Sequence, residues 1–283
     1  MLTTRLSIVI VFTSALFATP AVALVTDDTA GSEVDPAGTV GLNWDYVYNY
    51  KGCSAVAVDT HWLVTTAHVA DDEPGWSRDI GGTTYTEQEV VYHSADDDPE
   101  HATDADLALV RLDKALPGHY EIYTGSYPLS PASERLEAVL VAHGRSGTVA
   151  SGGEFYSGTA GTEGTKRWGT NVIDGIDPTL SEAGYTYEAI KMDFSEGDTA
   201  YEAGADGCDS GGGVFVRDAA DGDTWKLGGT ITVVFGEEGS RMSTGAAELA
   251  AYNTWITGTV PEPMSMSLLA LGATAVLRRR RRR

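Results

Sequence analysis

Three short segments of the chain carry residue types that can together hydrolyse an amide or ester bond. His68 follows an apolar run that opens at Trp62, Asp106 begins a run of alternating apolar residues, and Ser210 lies among glycines. A histidine can accept the proton of a serine hydroxyl, a carboxylate can hold that histidine in the required tautomer, and the amides of a glycine-rich loop can stabilise an oxyanion. Taken singly, the segments also fit a structural histidine, a turn aspartate and a linker. Together they predict a serine acyl-transfer site.

The elements that must position these residues are short and rich in Val, Ile, Thr and Tyr, with Gly, Asp and Ser turns between them. This spacing is typical of an all-β protein. Tyr252, Trp255 and Ile256 share a face at helical spacing and predict a C-terminal helix, while Pro128 and Pro131 indicate a linker between two halves. The predicted strands are Cys53–Val58, Trp62–Thr66, Leu107–Leu112, Glu137–Ala142, Ala189–Phe194, Gly213–Val216 and Leu227–Phe235.

The three segments together resemble the chymotrypsin/trypsin family of serine proteases. The order of histidine, aspartate and serine and their intervals of 38 and 104 residues fit that family. The resemblance runs from about residue 24 to residue 256. It implies an all-β fold over residues 24–259, with two packed antiparallel β-barrels, about 36–128 and about 132–250, and a C-terminal helix.

The resemblance also implies a role for each residue of the site. His68 is the general base and acid, Asp106 orients it, and Ser210 is the nucleophile. The backbone N–H groups of Cys208 and Ser210 form the oxyanion hole. Cys208 departs from the family, which has glycine there, and glycine tolerates the required loop geometry better than a residue with a side chain.

The same resemblance places the substrate pocket at Gly204, Thr232 and Val234. Basic-specific members of the family carry aspartate where this chain has Gly204, and Val234 falls near a position that is often glycine. These residues favour small or apolar substrate side chains, although Asp206 lies only two residues from Gly204. Thr232 takes the place of a serine whose hydroxyl bonds the catalytic aspartate.

Activation in this family uses a new N-terminus, usually Ile-Val-Gly-Gly, whose amine pairs with the aspartate before the nucleophile. That aspartate is Asp209 here, and no Ile-Val-Gly-Gly segment occurs. Cleavage of a signal peptide would instead release Leu24-Val25, 29 residues before Cys53. We therefore expect the amine of Leu24 to pair with Asp209. The alternative is a disordered arm.

The chain has two cysteines, Cys53 and Cys208. The resemblance places both beside the oxyanion hole, which implies a Cys53–Cys208 disulfide between the first barrel and the nucleophile loop. Closing a loop of about 155 residues would stabilise the fold by roughly 5 kcal/mol in the chain-entropy model. The alternative is a pair of buried thiols.

Both ends of the chain carry targeting patterns. Residues 1–23 combine a basic start, a short apolar run and an Ala-x-Ala ending, as secretory signal peptides do, so the mature chain begins at Leu24. Residues 260–283 combine Pro-Glu-Pro, a 14-residue apolar stretch and six arginines. This tail resembles the PEP-CTERM sorting signal of bacteria. It implies export through the periplasm to the cell surface or medium, transient membrane anchoring and processing by an exosortase.

The charge of the chain limits its partners. The full chain has a formal net charge of −22, and removing both ends leaves 12 basic and 40 acidic residues, or −28. Nucleic acid is therefore excluded as an expected partner. Acidic runs such as Asp96–Asp98 and Glu237-Glu238 lack the ligand spacing of a calcium loop, so Ca²⁺ stays possible without an assigned site. We predict neither a cofactor nor a metal site.

These observations favour a secreted serine endopeptidase that acts on protein or peptide substrates through an acyl-enzyme. Its rival from another class is an inactive, protease-shaped binding module of the extracellular matrix. Cys208 and the missing Ile-Val-Gly-Gly segment motivate that rival, and the complete set of His68, Asp106 and Ser210 opposes it. An esterase on the same three residues is a lesser alternative.

Overall fold

The computed structural model describes residues 24–26, 32–71, 75–93, 105–150, 152–195 and 197–260. The predicted signal peptide, the tail beyond residue 260 and the run Asp96–Asp98 lie outside these residues. The strands of the first half are β1 (Val25–Thr26), β2 (Val47–Tyr50), β3 (Cys53–Asp59), β4 (Trp62–Thr65), β5 (Ser77–Ile80), β6 (Thr83–Tyr92) and β7 (Ala108–Leu112).

The second half begins after a connection, residues 113–136, that contains no strand and includes Pro128 and Pro131. Its strands are β8 (Glu137–Ala142), β9 (Gly147–Val149), β10 (Tyr156–Gly158), β11 (Arg167–Val172), β12 (Gly175–Glu182), β13 (Tyr185–Asp193), β14 (Ala203–Gly204), β15 (Gly213–Asp218), β16 (Thr224–Glu237) and β17 (Ser240–Glu248). The α-helices in the described residues are α1 (Ala67–Ala70) and α2 (Leu249–Thr259).

The first sheet has the strand order β2-β3-β4-β7-β6-β5, with antiparallel neighbours. All four residues of β4 are buried, because packing covers both faces of this central strand. Thr65 of β4 pairs with Ala108 of β7. The end of β4 therefore lies beside the start of β7, and this register brings His68 and Asp106 together.

The second sheet has the order β11-β8-β15-β16-β17-β10-β9, and β13 joins β17 and carries β12. Gly213 at the start of β15 pairs with Val141 near the end of β8. The segment before β15, which contains Ser210, therefore lies beside the turn at His143-Gly144 that follows β8. A further short pairing, β1 with β14, attaches Leu24–Thr26 to the segment before that loop.

The structure confirms the predicted fold class, since two curled antiparallel sheets are followed by the short helix α2. Ile256 on the helix is buried, and Tyr252 and Trp255 pack against the same core. The strands β5, β9 and β12 were not predicted, because they have few buried side chains and lack an apolar run. Within the described ranges, no helix combines the length and apolar content needed to cross a membrane.

Candidate active site

His68 and Asp106 are joined by two hydrogen bonds. Nδ1 of His68 lies 2.7 Å from Oδ2 of Asp106, and the backbone N–H of His68 donates to Oδ1 at 3.0 Å. Since a carboxylate only accepts, Nδ1 donates its hydrogen and Nε2 of the neutral ring is left as an acceptor. The Asp106 side chain is 5% exposed and the His68 side chain 42% exposed. The ring can therefore reach a substrate while its partner stays buried.

The Ser210 loop is fastened to both sheets by its backbone. The carbonyl of Ser210 accepts from the N–H of Ser54 in β3 at 3.0 Å, and the N–H of Gly211 donates to the carbonyl of Ile231 in β16 at 2.9 Å. Gly211 has a φ of 80°, and a Cβ there would collide with the carbonyl of Ser54 and the hydroxyl of Thr65. Because Thr65 ends β4 three residues before His68, the loop brings Ser210 to the same region as the His68–Asp106 pair.

The loop also presents amides in the predicted oxyanion-hole segment. The N–H groups of Gly207 and Asp209 donate to Asp206, at 2.6 Å to its Oδ1 and 3.1 Å to its carbonyl. The N–H of Ser210 donates to no group in the part of the chain that the structure describes, so it is available to a bound oxyanion. Cys208 has a φ of 67°. A side chain in this left-handed region costs roughly 1–2 kcal/mol, as expected where the family has glycine.

The predicted Cys53–Cys208 disulfide is not formed in this structure, although both cysteines lie among the described residues and are partly buried. The connection between the first sheet and the nucleophile loop, which the disulfide was expected to supply, is made by the backbone bond from Ser54 to Ser210. A second hydrogen bond, from the backbone N–H of His143 to the side-chain Oγ of Ser54 at 2.9 Å, joins the sheets at the same place.

Asp209 is buried without a cation. Its Oδ1 accepts from the N–H of Gly144 and its Oδ2 from the N–H of Asp206, both at 2.8 Å, and its exposed fraction is 0%. None of the described Lys, Arg or His residues forms an ion pair with it. Burial raises the pKa of this carboxyl well above its ordinary value. A cationic partner would therefore stabilise the ionised form of the Asp209 carboxylate.

Leu24 and Val25 are seated in the fold rather than in a disordered arm. Their exposed fractions are 1% and 0%, and Val25 pairs with Gly204, five residues before Asp209 in sequence. Leu24 packs in the second-sheet core, next to residues such as Ala205. In the uncut chain the nitrogen of Leu24 is part of a peptide bond, so it carries no charge to offer Asp209.

The predicted pocket residues are largely covered. Gly204 is buried beneath the ring of Tyr156, and Val234 is partly buried against the cluster that contains this ring. Thr232 is 8% exposed, and its hydroxyl accepts from the Tyr187 hydroxyl at 2.9 Å and donates to the carbonyl of Gly245 at 3.4 Å. A hydroxyl has one hydrogen, so the predicted bond from Thr232 to Asp106 is wrong.

Other cavities and acidic groups do not enlarge this site. A cavity of about 550 Å³ lies on the second sheet beside Phe194, Phe235 and Met242, and none of the three predicted pocket residues lines it. Over the described ranges, no group of three or more His, Cys, Asp or Glu side chains is arranged to hold a metal ion. Sequence reasoning missed Tyr156, which no local motif marks because its partner Gly204 lies 48 residues away.

The family model described as Trypsin matches residues 33–256, which is 224 of the 283 residues. The chain belongs to the trypsin family. This match covers the segments that carry His68, Asp106 and Ser210, and it accounts for the arrangement of two sheets around them. No curated protein matches the chain.

Two solved structures are similar to this trypsin-family chain. The passenger domain of plasmid encoded toxin, an autotransporter enterotoxin from enteroaggregative Escherichia coli, is 15% identical with a TM-score of 0.50; the match covers 81% of this chain and 22% of that one. Neuropsin, a serine protease expressed in the limbic system of mouse brain, is 17% identical with a TM-score of 0.47 over 73% of this chain and 88% of its own. At 15% identity, the likeness to the passenger domain shows the fold alone. The chain spans about a fifth of the passenger domain.

Proposed function

We propose that this trypsin-family chain is a secreted serine endopeptidase that cleaves protein or peptide substrates. The observation that carries the proposal is the His68–Asp106 pair, whose two hydrogen bonds leave Nε2 of His68 as an exposed acceptor. The loop that contains Ser210 is anchored beside this pair through Ser54. A binding module has no need of an oriented base next to a serine.

The chemistry divides into two acyl transfers. Oγ of Ser210 attacks the carbonyl carbon of the scissile bond while Nε2 of His68 takes its proton, and the N–H groups of Cys208 and Ser210 receive the oxyanion. The C–N bond then breaks, and His68 delivers the proton to the departing amine. Water attacks the acyl-enzyme with His68 again as base, and the proton returns to Ser210 as the acid product leaves. Throughout both steps, Asp106 holds His68 in the tautomer that carries its hydrogen on Nδ1.

Activation follows from signal-peptide removal. Cleavage after residue 23 by signal peptidase would turn the buried nitrogen of Leu24 into an ammonium group. The pairing of Val25 with Gly204 and the buried carboxylate of Asp209 support its docking there. The pair would supply the cation that Asp209 lacks among the described residues, and would fix the loop that carries Cys208 and Ser210.

Export and sorting rest on the terminal sequences. The signal peptide would send the chain to the periplasm of a bacterium, and the tail of residues 260–283 would anchor it transiently in the membrane until an exosortase removes it. The protein would then act outside the cell or on its surface. The formal charge of −28 on the remaining chain would keep it soluble there.

Labelling with a serine-directed fluorophosphonate tests the proposed activity. We expect the matured protein to be labelled at Ser210 and Ser210→Ala to lose all labelling. Ser77→Ala is the matched control, since this exposed serine of β5 lies at the edge of the first sheet. A folded, matured protein that takes up no label would contradict the proposal.

The alternative is a catalytically inactive, protease-shaped binding module of the extracellular matrix. The observation that favours it is the left-handed backbone of Cys208, which strains the loop that must present the oxyanion donors. Absence of labelling in a folded protein would select this alternative. Parallel assays on matched peptide and ester substrates separate an endopeptidase from an esterase that uses the same residues.

A further inference from the structure

The side chain of Tyr156 occupies the space that a substrate pocket would need. Tyr156 lies in β10, is fully buried, and donates its hydroxyl hydrogen to the carbonyl of Ala205 at 2.8 Å. A Cβ placed on Gly204 would come within 2.3 Å of Cζ of this ring. The tip of the ring therefore lies where any side chain at position 204 would begin.

The walls around the ring are closed by close packing. Tyr156 forms one buried cluster with Val25 and Phe194. The partly buried side chain of Val234 packs against that cluster. The Tyr156 and Phe194 ring centroids are 4.8 Å apart at an angle of 53°. The two residues expected to form the floor and wall of the pocket, Gly204 and Val234, are thus both in contact with an internal aromatic group instead of open space.

The polar groups at the floor are also satisfied internally. The N–H of Ala205 donates to the hydroxyl of Thr244 at 2.8 Å. The nearest acid, Asp206, accepts from the N–H groups of Gly207 and Gly158, and one of its oxygens lies 3.5 Å from Nε of Arg241. Its side chain is 2% exposed. The Asp206 carboxylate is therefore covered and does not face a substrate lysine or arginine.

We propose that Tyr156 is a specificity-determining residue: its ring fills the pocket for the side chain on the acyl side of the scissile bond. The enzyme then cleaves after glycine, alanine or serine, and excludes large apolar and basic residues at that position. This inference rests on the proposed peptidase function and names its substrate class. The loop geometry supports it, because Gly211, which follows Ser210, donates to the carbonyl of Ile231 in β16, the strand that also carries Val234.

The test is a peptide series that differs only in the residue before the scissile bond: Gly, Ala, Leu, Phe and Arg. Fluorophosphonate titration gives the active-enzyme concentration, so kcat/KM can be compared directly between variants. We expect the wild type to favour Gly and Ala over Leu, Phe and Arg by at least about a hundredfold. Tyr156→Ala should raise kcat/KM for Leu and Phe by about ten- to a hundredfold while changing that for Ala little.

Two control variants distinguish the effect of the Tyr156 ring on substrate preference from the effect of neighbouring groups. Tyr156→Phe keeps the ring and should keep the wild-type preference. Val234→Ala widens the outer wall without removing the ring and should leave Leu and Phe poor substrates. Circular dichroism and thermal melting check that each variant is folded. If Tyr156→Ala does not fold, the wild-type profile decides the question on its own.

The possible failures are distinct. A wild type that takes up the label but cleaves after Leu, Phe or Arg as readily as after Ala overturns the role of Tyr156 and leaves the peptidase function intact. A folded Tyr156→Ala variant with an unchanged profile does the same. A folded, matured wild type without labelling overturns the peptidase function, and the specificity assignment with it.

Discussion

Two aspartates beside the candidate site are equally buried but differ in what they hold. Both oxygens of Asp106 accept from His68, whereas both oxygens of Asp209 accept only from backbone N–H groups, those of Gly144 and Asp206. Asp106 thus has its functional partner in the uncut chain, and Asp209 has none among the described residues. The first sheet alone therefore assembles the His68–Asp106 pair, whereas the Asp209 carboxyl has no cationic partner among the described residues.

The largest effect should come from Asp106. Asp106→Asn removes the acceptor that keeps hydrogen on Nδ1 of His68, so Nε2 can no longer accept the proton of Ser210. We expect kcat to fall by about 10⁴-fold. Steady-state kinetics on an alanine peptide measure this loss. A kcat within tenfold of the wild type would mean that Asp106 does not act as the functional partner of His68.

The next effect concerns Asp209 and depends on processing. In the form that begins at Leu24, Asp209→Asn breaks a buried ion pair and should lower the free energy of unfolding by about 3 kcal/mol. In a form with one extra methionine before Leu24, the same change replaces a carboxyl that has no cationic partner among the described residues and whose pKa is raised by burial. The free energy of unfolding should then change by less than about 1 kcal/mol. Urea denaturation of the wild type and Asp209→Asn, each in both N-terminal forms, gives the free energies of unfolding. Their double difference is the coupling energy between Asp209 and the amine of Leu24.

Activity supplies the control for that comparison. The form that begins at Leu24 should be active and the methionine-extended form should lose most of its kcat/KM, since its amine is displaced from Asp209. Equal activity of the two forms, or a coupling near zero, would rule out the Leu24–Asp209 pair.

A third buried acid extends the comparison to pH. Burial raises the pKa of Glu202 from 4.5 to about 7, although its carboxylate accepts from Ser195 and Thr199. The folded state therefore binds more protons than the unfolded state between those pH values, and the free energy of unfolding falls as pH rises through this window. Glu202→Gln should remove about 2 kcal/mol of that fall.

Denaturation at pH 5 and pH 8 measures this slope. Wild type and Glu202→Gln should differ most at pH 8, where the buried carboxylate of the wild type is ionised. Burial likewise raises the pKa of Glu248 to about 7. Glu248→Gln should therefore reduce the fall in the free energy of unfolding between pH 5 and pH 8 independently of Glu202→Gln. Parallel curves for wild type and Glu202→Gln would contradict the assignment.

The smallest effect concerns the neighbour of Asp209. Cys208→Gly removes a side chain from a residue with a φ of 67° and should raise the free energy of unfolding by up to about 1 kcal/mol. Asp223→Gly at a φ of 63° is the control, and its gain should be smaller because aspartate tolerates this region. Thermal melts compare the two. A destabilised Cys208→Gly would show that the thiol contributes more than its backbone strain costs.

The parts of the fold that could be predicted are those where local pattern and tertiary packing agree. Glu137–Ala142 was predicted residue for residue as β8, because its apolar run is bounded by turns and buried at five of six positions. His68 and Asp106 could be found because each lies at the end of such a strand. The register of β4 against β7 then brings them together without further information.

The rest depends on contacts between distant residues. The strand β12 carries mostly exposed residues and is ordered by its pairing with β13, so its own sequence does not mark it. The ring of Tyr156 covers Gly204 across 48 residues, and no spacing rule connects them. The resemblance implied a Cys53–Cys208 disulfide, which is not formed, and it did not indicate the hydrogen bond from Ser54 to Ser210 that joins the first sheet to the loop.

The burial of Leu24 and Val25 has a consequence for the order of events in the cell. A protease cuts an extended, accessible bond, but the bond before Leu24 adjoins a residue that is 1% exposed once β1 has paired with β14. Under the activation proposed above, signal peptidase would have to cut before β1 pairs with β14, while the chain is still emerging unfolded at the membrane. A chain that folded too early would bury its cleavage site and stay uncut, so the timing of export, rather than a second protease, would decide how much of the protein becomes active.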